Sequence, residues 1–332
     1  WPDVPIHLSV QANTMNWASV RFWQSVGIRR IILSRELSLD DIEEIRQRVP
    51  DMELEVFVHG ALCIAYSGRC LLSGYFNHRD ANQGTCTNAC RWEYRMVPGE
   101  ETPEGVWRPQ QETNTEPEPP PRHPDAERIW FVEEGNRSGE LMPVLEDEHG
   151  TYIMNSKDLR AVEHVERLVR IGVDSLKIEG RTKSHYYVAR ATQAYRRAID
   201  DAVAGRPFDP SLLGELENLA NRGYTDGFYQ RHHTEAEQNF LHGHSQSRRQ
   251  RFVGEVIGID DDGWVRVDVK NRFSVGDRIE VITPRGNREI TLEAMQDEQG
   301  HPLERAPGGG WRVRVRLPLE VDAHSLLTVN LD

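Results

Sequence analysis

Four cysteines are the residues of this chain best suited to chemistry, and they lie close together in the sequence. In the sequence Cys63 is followed closely by Cys70, and Cys86 by Cys90. The 332 residues contain no further cysteine. Thiolates bind zinc or iron–sulfur clusters, and paired thiols form disulfides, so three kinds of site are open. Disulfide frameworks are typical of small secreted domains without a core, which a chain of this length does not resemble.

The spacing of the cysteines does not by itself choose between zinc and an iron–sulfur cluster. Structural zinc sites usually have about two to four residues between paired ligands, and only Cys86 and Cys90 fit that spacing. A cubane cluster needs four converging thiolates without a fixed interval. On the residues alone, this difference in the required spacing modestly favours an iron–sulfur cluster. A zinc site remains an alternative.

The sequence predicts alternating strands and helices as the elements that position the cysteines. Apolar periodicity predicts strands at 6–10, 28–33, 53–58, 152–154 and 175–178, and helices at 14–26, 38–49, 158–171 and 184–204. Polar residues follow each strand, and loops after strands carry the chemistry of α/β proteins. The third strand leads directly into the cysteine loop, residues 59–92.

This succession of five β/α units predicts an α/β fold with parallel strands and right-handed crossovers. A dinucleotide-binding fold would need a Gly-x-Gly-x-x-Gly turn after a strand, and the sequence has none. We therefore expect residues 1–205 to form the C-terminal part of a TIM-like (β/α) barrel. Such a barrel has eight units, and the chain begins at Trp1 in what reads as structure. The barrel is therefore expected to be N-terminally truncated in this chain.

Three further segments depart from this pattern. Residues 97–128, rich in Pro, Glu and Thr, predict a flexible acidic insertion. Residues 206–251 predict a connecting segment with one helix near 209–222. Residues 252–332 show short alternating runs separated by Gly and Asp, which predict a small antiparallel β-barrel domain.

Composition limits the classes of function. The formal charge is −13, with 38% apolar and 28% charged residues, and no apolar run reaches the roughly eighteen residues of a membrane span. Nucleic-acid binders are usually basic, so this charge counts against an RNA ligand. Much of the acidity lies within residues 93–148, however, which leaves room for a basic patch elsewhere. We expect a cytoplasmic protein with no membrane partner.

Two blocks of sequence resemble a known family. The first runs from Glu55-Val-Phe-Val-His59-Gly60 through Tyr66-Ser-Gly68 to Gly84-Thr-Cys-Thr-Asn-Ala-Cys-Arg-Trp-Glu-Tyr94. The second is Ser175-Leu-Lys-Ile-Glu-Gly-Arg181, followed by Tyr186-Tyr187. Together they are similar to the collagenase-like peptidase family of unknown catalytic type, over almost the whole chain apart from residues 97–128. The match is strongest to a member group that modifies tRNA.

The resemblance implies an RNA-modifying enzyme. Several members of the family are oxygen-independent hydroxylases of RNA or of quinone precursors and carry a [4Fe-4S] cluster on cysteines. It implies a cluster held by Cys63, Cys70, Cys86 and Cys90, 5-hydroxyuridine at the tRNA wobble position as product, and prephenate as hydroxyl donor. The alternatives are a zinc-stabilised RNA-binding protein and a peptidase, for which the sequence lacks Gly-x-Ser-x-Gly and His-Glu-x-x-His motifs.

Polar residues at predicted strand ends complete the expected site. The candidate catalytic residues are His59, Glu179 and Arg181, because barrel strand ends carry catalytic groups. Guanidinium groups suit the carboxylates of a dianionic donor; the candidates for substrate binding are Gln11, Asn13, Arg35, Arg69, Arg79, Asn155 and Lys177. The structural alternatives are a backbone hydrogen bond for His59 and a solvated ion pair for Glu179 with Arg181.

A basic face is expected on the C-terminal domain. Arg312 and Arg314 alternate along one strand and so share a side; the further candidates for RNA contact are Arg248, Arg249 and Arg251. Asp260 to Asp262 offset this charge, so an ordinary charged face is an equal alternative.

Overall fold

The structure is a computed structural model that describes most of the chain in two compact units. The described residues are 3–63, 65–71, 73, 77–79, 83, 85–87, 99–101, 107–109, 130–133, 141–147, 150–152, 157–180, 183–221, 223–230 and 250–331, with the backbone alone between 99 and 152. The first unit comprises Trp1–Ala161, Ile171–Lys177 and Arg222–His244, and the second comprises Val162–Arg170, Ile178–Asn221 and Ser245–Asp332.

Strands β1 to β11 lie before the C-terminal domain. They are β1 (His7–Leu8), β2 (Arg30–Ile32), β3 (Glu53–Ala61), β4 (Gly99–Glu101), β5 (Trp107–Pro109), β6 (Trp130–Glu133), β7 (Leu141–Asp147), β8 (Gly150–Tyr152), β9 (Asp158–Arg160), β10 (Ser175–Ile178) and β11 (Tyr224–Thr225). The main sheet has the order β1-β2-β3-β9-β11, and β10 also pairs with β3. Neighbours are parallel except β3 and β9, which are antiparallel.

The helices of the first unit follow the predicted pattern. α1 (Trp17–Ser25) and α2 (Leu39–Arg48) each follow a strand of the sheet. A capping box begins α2, because the Ser38 side chain accepts from the Asp41 N–H and the Asp41 carboxylate accepts from the Ser38 N–H. Ile42 and Ile45 are buried on its inner face.

The fourth β/α unit was wrongly predicted. Tyr152 belongs to β8, outside the main sheet, and residues 158–160 form strand β9 where a helix was expected. The Asp158 N–H donates to the Gly223 carbonyl and the Ala161 N–H to the Val58 carbonyl, so this backbone is satisfied by two strands at once. The apolar helical spacing is used only from Val165, where α3 (Val165–Ile171) begins.

The TIM-like barrel is not found as a closed barrel in the described residues. The main sheet ends at β1 on one side and β11 on the other, and the antiparallel β9 interrupts the parallel order. The described fold is therefore mixed α/β, followed by a β-rich domain.

The region predicted as a flexible insertion contains secondary structure. Strands β4 and β5 pair antiparallel within it. After it, β6 and β7 form an antiparallel hairpin, and β8 pairs with β7 as a third strand. The other residues of 97–128 lie outside the described part of the chain.

The second unit joins two helices to an antiparallel domain. The helices are α4 (His185–Val203) and α5 (Ser211–Glu217), and the strands are β12 (Gln250–Ile259), β13 (Val265–Val269), β14 (Phe273–Ser274), β15 (Arg278–Thr283), β16 (Gly286–Thr291), β17 (Met295–Gln296), β18 (Arg305–Ala306), β19 (Arg312–Val315) and β20 (Leu326–Asn330). Seven strands form one sheet in the order β16-β15-β20-β12-β13-β19-β17, and β14 pairs with β18. Alternate residues such as Val265, Val267 and Val269 fill its core, as their spacing predicts.

Helix α4 is fixed to this β domain by buried polar contacts. Arg190 is 2% exposed, and its guanidinium donates to both carboxylate oxygens of Glu280 at 3.0 and 3.1 Å. The ring of Tyr186 stacks on Phe252 with centroids 5.1 Å apart. In the described part of the chain no helix is long and apolar enough to cross a membrane.

Candidate functional site

Strand β3 presents polar and aromatic side chains on one of its two faces. Leu54, Val56 and Val58 alternate with Glu55, Phe57 and His59, so the two sets point to opposite sides. All six are buried. A carboxylate, an aromatic ring and an imidazole in such a row need polar partners, because burying unpaired polar groups costs free energy.

Phe57 lies between two cations. The guanidinium carbon of Arg35 is 3.7 Å from its ring centroid, and the Lys177 ammonium is 5.4 Å away. Both lie within the distance at which a cation is attracted by an aromatic face. The backbone carbonyl of Phe57 accepts a hydrogen bond of 2.5 Å from the buried Tyr229 hydroxyl. Burial raises the pKa of Tyr229, while Arg35 opposes the rise, so this phenol stays a donor.

Glu55 orients the second of these cations. Its carboxylate accepts from the Lys177 ammonium at 2.7 Å and from Arg30 at 3.5 Å. Burial alone would raise the pKa of Glu55, but the bond and charge of Lys177, with Ser175 and Arg30, hold it below its usual value. Lys177, predicted to bind substrate, thus lies on this face as an ion-paired ammonium.

His59 lies inside β3 and not at its end. The strand continues to Ala61, and His59 pairs with Arg160 of β9. The imidazole is 1% exposed and its ring lies 5.4 Å from that of Tyr224, over which the Arg160 guanidinium is placed at 4.9 Å. Sequence reasoning missed Arg160 and Tyr224 because it placed them in a helix and a connecting segment.

The cysteine loop begins two residues after β3 and contacts the loop after β2. The Arg35 guanidinium points an Nη1 donor at the Cys63 sulfur, 4.0 Å away. The Ser67 N–H donates to the Glu36 carboxylate at 2.7 Å. The end of β2 therefore holds both the first cysteine and the turn that follows it.

The same loop packs against the turn after β1. Gly68 has φ +74°, and a Cβ placed on it would lie 2.1 Å from the backbone oxygen of Gln11. Gln11 belongs to a short 3₁₀ turn, Val10–Ala12, that ends at Asn13 in the left-handed region. The Asn13 amide donates to the Ser34 hydroxyl at 3.3 Å. Gln11 and Asn13 thus shape the loops that surround the cysteines.

The second cysteine segment is tied to the first through Ser73. This buried hydroxyl accepts from the Thr87 N–H at 3.0 Å, and the Asn77 amide donates to the Thr87 hydroxyl at 3.0 Å. Thr87 directly follows Cys86, so these bonds connect Cys86 to the stretch that follows Cys70. Cys90 lies outside the described residues.

The cysteines are thiol donors of the kind that zinc sites and iron–sulfur clusters use. Cys63 is exposed, and Cys70 and Cys86 are half-buried. No disulfide joins these three, and their loop leaves one strand end while contacting two others. With Cys90 the sequence contains four thiols, the number of ligands that either an iron–sulfur cluster or a zinc site uses.

The remaining candidates for catalysis and substrate binding divide into three groups. Arg69 and Arg79 are exposed on the cysteine loop. Glu179 lies in the second unit, where its carbonyl accepts from the Tyr187 hydroxyl at 2.8 Å. A Cβ on the next residue, Gly180, would lie 2.6 Å from the Tyr187 ring, so this position needs glycine. Asn155 and Arg181 lie outside the described residues.

The candidates for RNA contact differ in how much free charge they carry. Arg314 donates to Asp260 and to Asp262, each at 2.8 Å, so its charge is already compensated. Arg312 is exposed on the same side of β19, and Arg251 is half-buried in β12. Arg248 and Arg249 lie outside the described part of the chain.

An α/β unit whose strand ends converge on a cysteine loop, followed by a separate β domain, defines the class of this protein. The chain belongs to peptidase family U32. The model of that family matches residues 1–239, and the model of the peptidase family U32 C-terminal domain matches residues 248–327.

Named relatives are similar over nearly the whole chain. The tRNA hydroxylation protein P of Escherichia coli K12 is 57% identical over 98% of this chain and 73% of its own length. The protein of the same name from Haemophilus influenzae is 52% identical, over 100% and 74%. The 23S rRNA 5-hydroxycytidine C2501 synthase of E. coli is 28% identical, over 90% of this chain and 40% of that protein.

Among solved structures, the C-terminal domain of a Geobacillus thermoleovorans U32 peptidase is 25% identical to this chain. It covers 24% of this chain and 92% of that domain with a TM-score of 0.23.

Proposed function

We propose that this protein is a tRNA-modifying hydroxylase that forms 5-hydroxyuridine at the wobble position without oxygen, using a [4Fe-4S] cluster and prephenate as hydroxyl donor. The single observation that best supports an iron–sulfur enzyme is the cysteine loop, whose thiols lie beside strand ends that also carry cations. The names of the relatives, which refer to hydroxylation of tRNA and rRNA, support the reaction class.

We assign Cys63, Cys70, Cys86 and Cys90 to the cluster. When bound, a cluster held by four thiolates would supply electron transfer. The chain's own residues would bind and orient the reactants around it. Arg35, Arg69, Arg79 and Lys177 would hold the carboxylates of the donor, since guanidinium groups match carboxylate geometry.

His59 receives a positioning role in this proposal. At 1% exposure it touches little outside the protein. It would instead hold Tyr224 and Arg160 in place, so that the Arg160 guanidinium faces the reactants. We also propose that the mixed sheet is part of a TIM-like barrel, because β1, β2 and β3 are parallel and the loops that follow them meet at one site.

The test is metal and sulfide analysis of anaerobically purified protein, followed by mass spectrometry of tRNA nucleosides. We expect about four irons and four sulfides per chain, and 5-hydroxyuridine formed under anaerobic conditions when prephenate is present. Cys86→Ser should lose the iron, while Ser19→Ala, far along the chain in α1, should keep it.

Three results would contradict the proposal. One zinc and no iron would give the cysteines a structural role and favour a zinc-stabilised RNA-binding protein. Iron content unchanged in Cys86→Ser would remove this residue from the ligand set. Peptide cleavage by the metal-free protein would support the peptidase reading instead.

A further inference from the structure

A second cluster of potential ligand-binding residues lies on the C-terminal β domain, around a run of three glycines. Gly308, Gly309 and Gly310 follow β18 and lead through Trp311 into β19. Gly308 has φ +150° and Gly310 φ +88°, and a Cβ at either would meet nothing within 4 Å. The loop is therefore open, and its backbone can be approached closely by a ligand.

Three arginines lie on or next to the strands that adjoin this loop. β14 pairs with β18 so that Ser274 lies opposite Arg305, and β13 pairs with β19 so that Asp268 lies opposite Arg312. Arg272 precedes β14 directly. Phe273, Ala306 and Val313, the neighbours of these arginines in sequence, are buried in the core. Side chains alternate along strands, so Arg272, Arg305 and Arg312 point away from it.

Among the described residues, no acidic side chain pairs with these arginines. All three are exposed, and none forms an ion pair with a described residue. The nearby Asp268 carboxylate is bound to the Lys270 ammonium at 2.6 Å, which leaves Glu304 as the exposed acid beside them. The patch is therefore positive in a chain of net charge −13, and its local potential attracts a negatively charged ligand.

An exposed aromatic ring completes the cluster. Trp311 is 50% exposed, and its backbone carbonyl accepts from the Val269 N–H at 2.9 Å, which fixes the start of β19. Single-stranded nucleic acids are bound by cationic grooves combined with aromatic side chains on which bases stack. An acidic peptide would use the cations but would have no planar base for the indole.

We propose that the glycine-loop patch (Arg272, Arg305, Gly308–Gly310, Trp311 and Arg312) binds a single-stranded segment of RNA, with a base on Trp311 and phosphates on the three arginines. This inference rests on the proposed RNA substrate and assigns where that RNA is held. It keeps Arg312, which the sequence predicted, sets aside Arg314, whose charge is compensated by Asp260 and Asp262, and adds Arg272 and Arg305.

The experiment is a fluorescence-anisotropy titration of the full chain with labelled oligouridine RNA at several salt concentrations. Trp311→Ala should weaken binding at least about fivefold, and Trp311→Phe should restore most of it. The triple change of Arg272, Arg305 and Arg312 to Gln should reduce the salt slope by about two, since each phosphate contact on a single strand contributes roughly 0.7.

Matched controls come from outside the patch. Phe22→Ala removes another exposed aromatic ring and Arg288→Gln another exposed cation, and neither should change RNA affinity. Wild-type binding that is unaffected by both Trp311→Ala and the triple change would overturn the patch and leave the proposed function standing. A wild-type chain that neither binds RNA nor forms 5-hydroxyuridine would remove both. Polyglutamate that competes as well as RNA, with Trp311→Ala neutral, would assign an acidic protein partner instead.

Discussion

At the scale of single residues, the candidate site depends on side chains that restrain one another. Arg35 is held flat on Phe57 and directs a donor at Cys63, while Lys177 is held by Glu55. Cations fixed in this way lose little further rotamer freedom when an anion binds, so more of the attraction remains as affinity.

Glu55 gives a prediction about acid stability. Its pKa is lowered on folding, so its contribution is complete above its ordinary value of about 4.3 and is lost as the pH falls through the lower folded value. We expect Glu55→Gln to cost about 1 kcal/mol at pH 7 and to flatten the loss of stability below pH 4. Urea unfolding at stepped pH measures both, with the exposed Glu298→Gln as control. Equal acid slopes for wild type and Glu55→Gln would refute the linkage.

Gly68 gives a prediction about the cysteine loop. An alanine here needs a left-handed backbone and would place a methyl group 2.1 Å from the Gln11 oxygen. Gly27→Ala has a similar φ, +92°, but open space around it, and should cost only about 1–2 kcal/mol. We expect Gly68→Ala to cost at least about 2 kcal/mol more than this control and to release metal more easily to a chelator. Equal free energies of unfolding in the two variants would show that a methyl group at position 68 does not clash with Gln11.

At the scale of elements, helix α4 is fixed to the β domain by a charge pair that its sequence does not reveal. The amphipathic pattern of residues 184–204 predicts the helix, but it marks Arg190 as an ordinary polar position. Burying this guanidinium is tolerable only because Glu280 and Gln250 accompany it. The amphipathic pattern shows which residues of the helix face inward. It does not show that Arg190 pairs with Glu280, which lies 90 positions away in the sequence.

The pair can be tested by a double-mutant cycle. Arg190→Met leaves the Glu280 carboxylate buried without its cation, and we expect a loss of about 3–5 kcal/mol. Adding Glu280→Met removes the stranded charge and should recover most of that loss. Urea unfolding of the four proteins gives the coupling free energy. A coupling near zero would mean that solvent screens the pair despite its burial.

Much of the remaining element structure was predictable, and the failure at β9 has a physical cause. Local signals such as the Ser38 cap and the alternation of the C-terminal strands identify their elements because the evidence lies within a few residues. Asp158–Arg160 becomes a strand because β3 and β11 offer hydrogen-bond partners far away in sequence. The site followed the same rule: the cysteines could be selected from spacing, but Arg160, Tyr224 and Tyr229 could not.

At the scale of the whole molecule, the glycine-loop patch has a charge opposite in sign to the net charge of the chain. The chain carries −13 overall, so long-range repulsion opposes any polyanion, and binding must come from local patches. We therefore expect RNA binding with a shallow salt dependence, a slope of about −2 for three phosphate contacts on a single strand. A slope of −5 or steeper in the anisotropy titration would require a cationic surface much larger than the glycine-loop patch.

The hydroxyl of Tyr229, bonded to the carbonyl of Phe57, has a consequence for biosynthesis. The ribosome makes the cysteine loop long before it makes β11 and Tyr229, which complete the sheet beside it. While the chain is still emerging, the thiols are present but their surroundings are unfinished. The order of synthesis therefore leaves the sheet beside the cysteines incomplete until Tyr229 has been made.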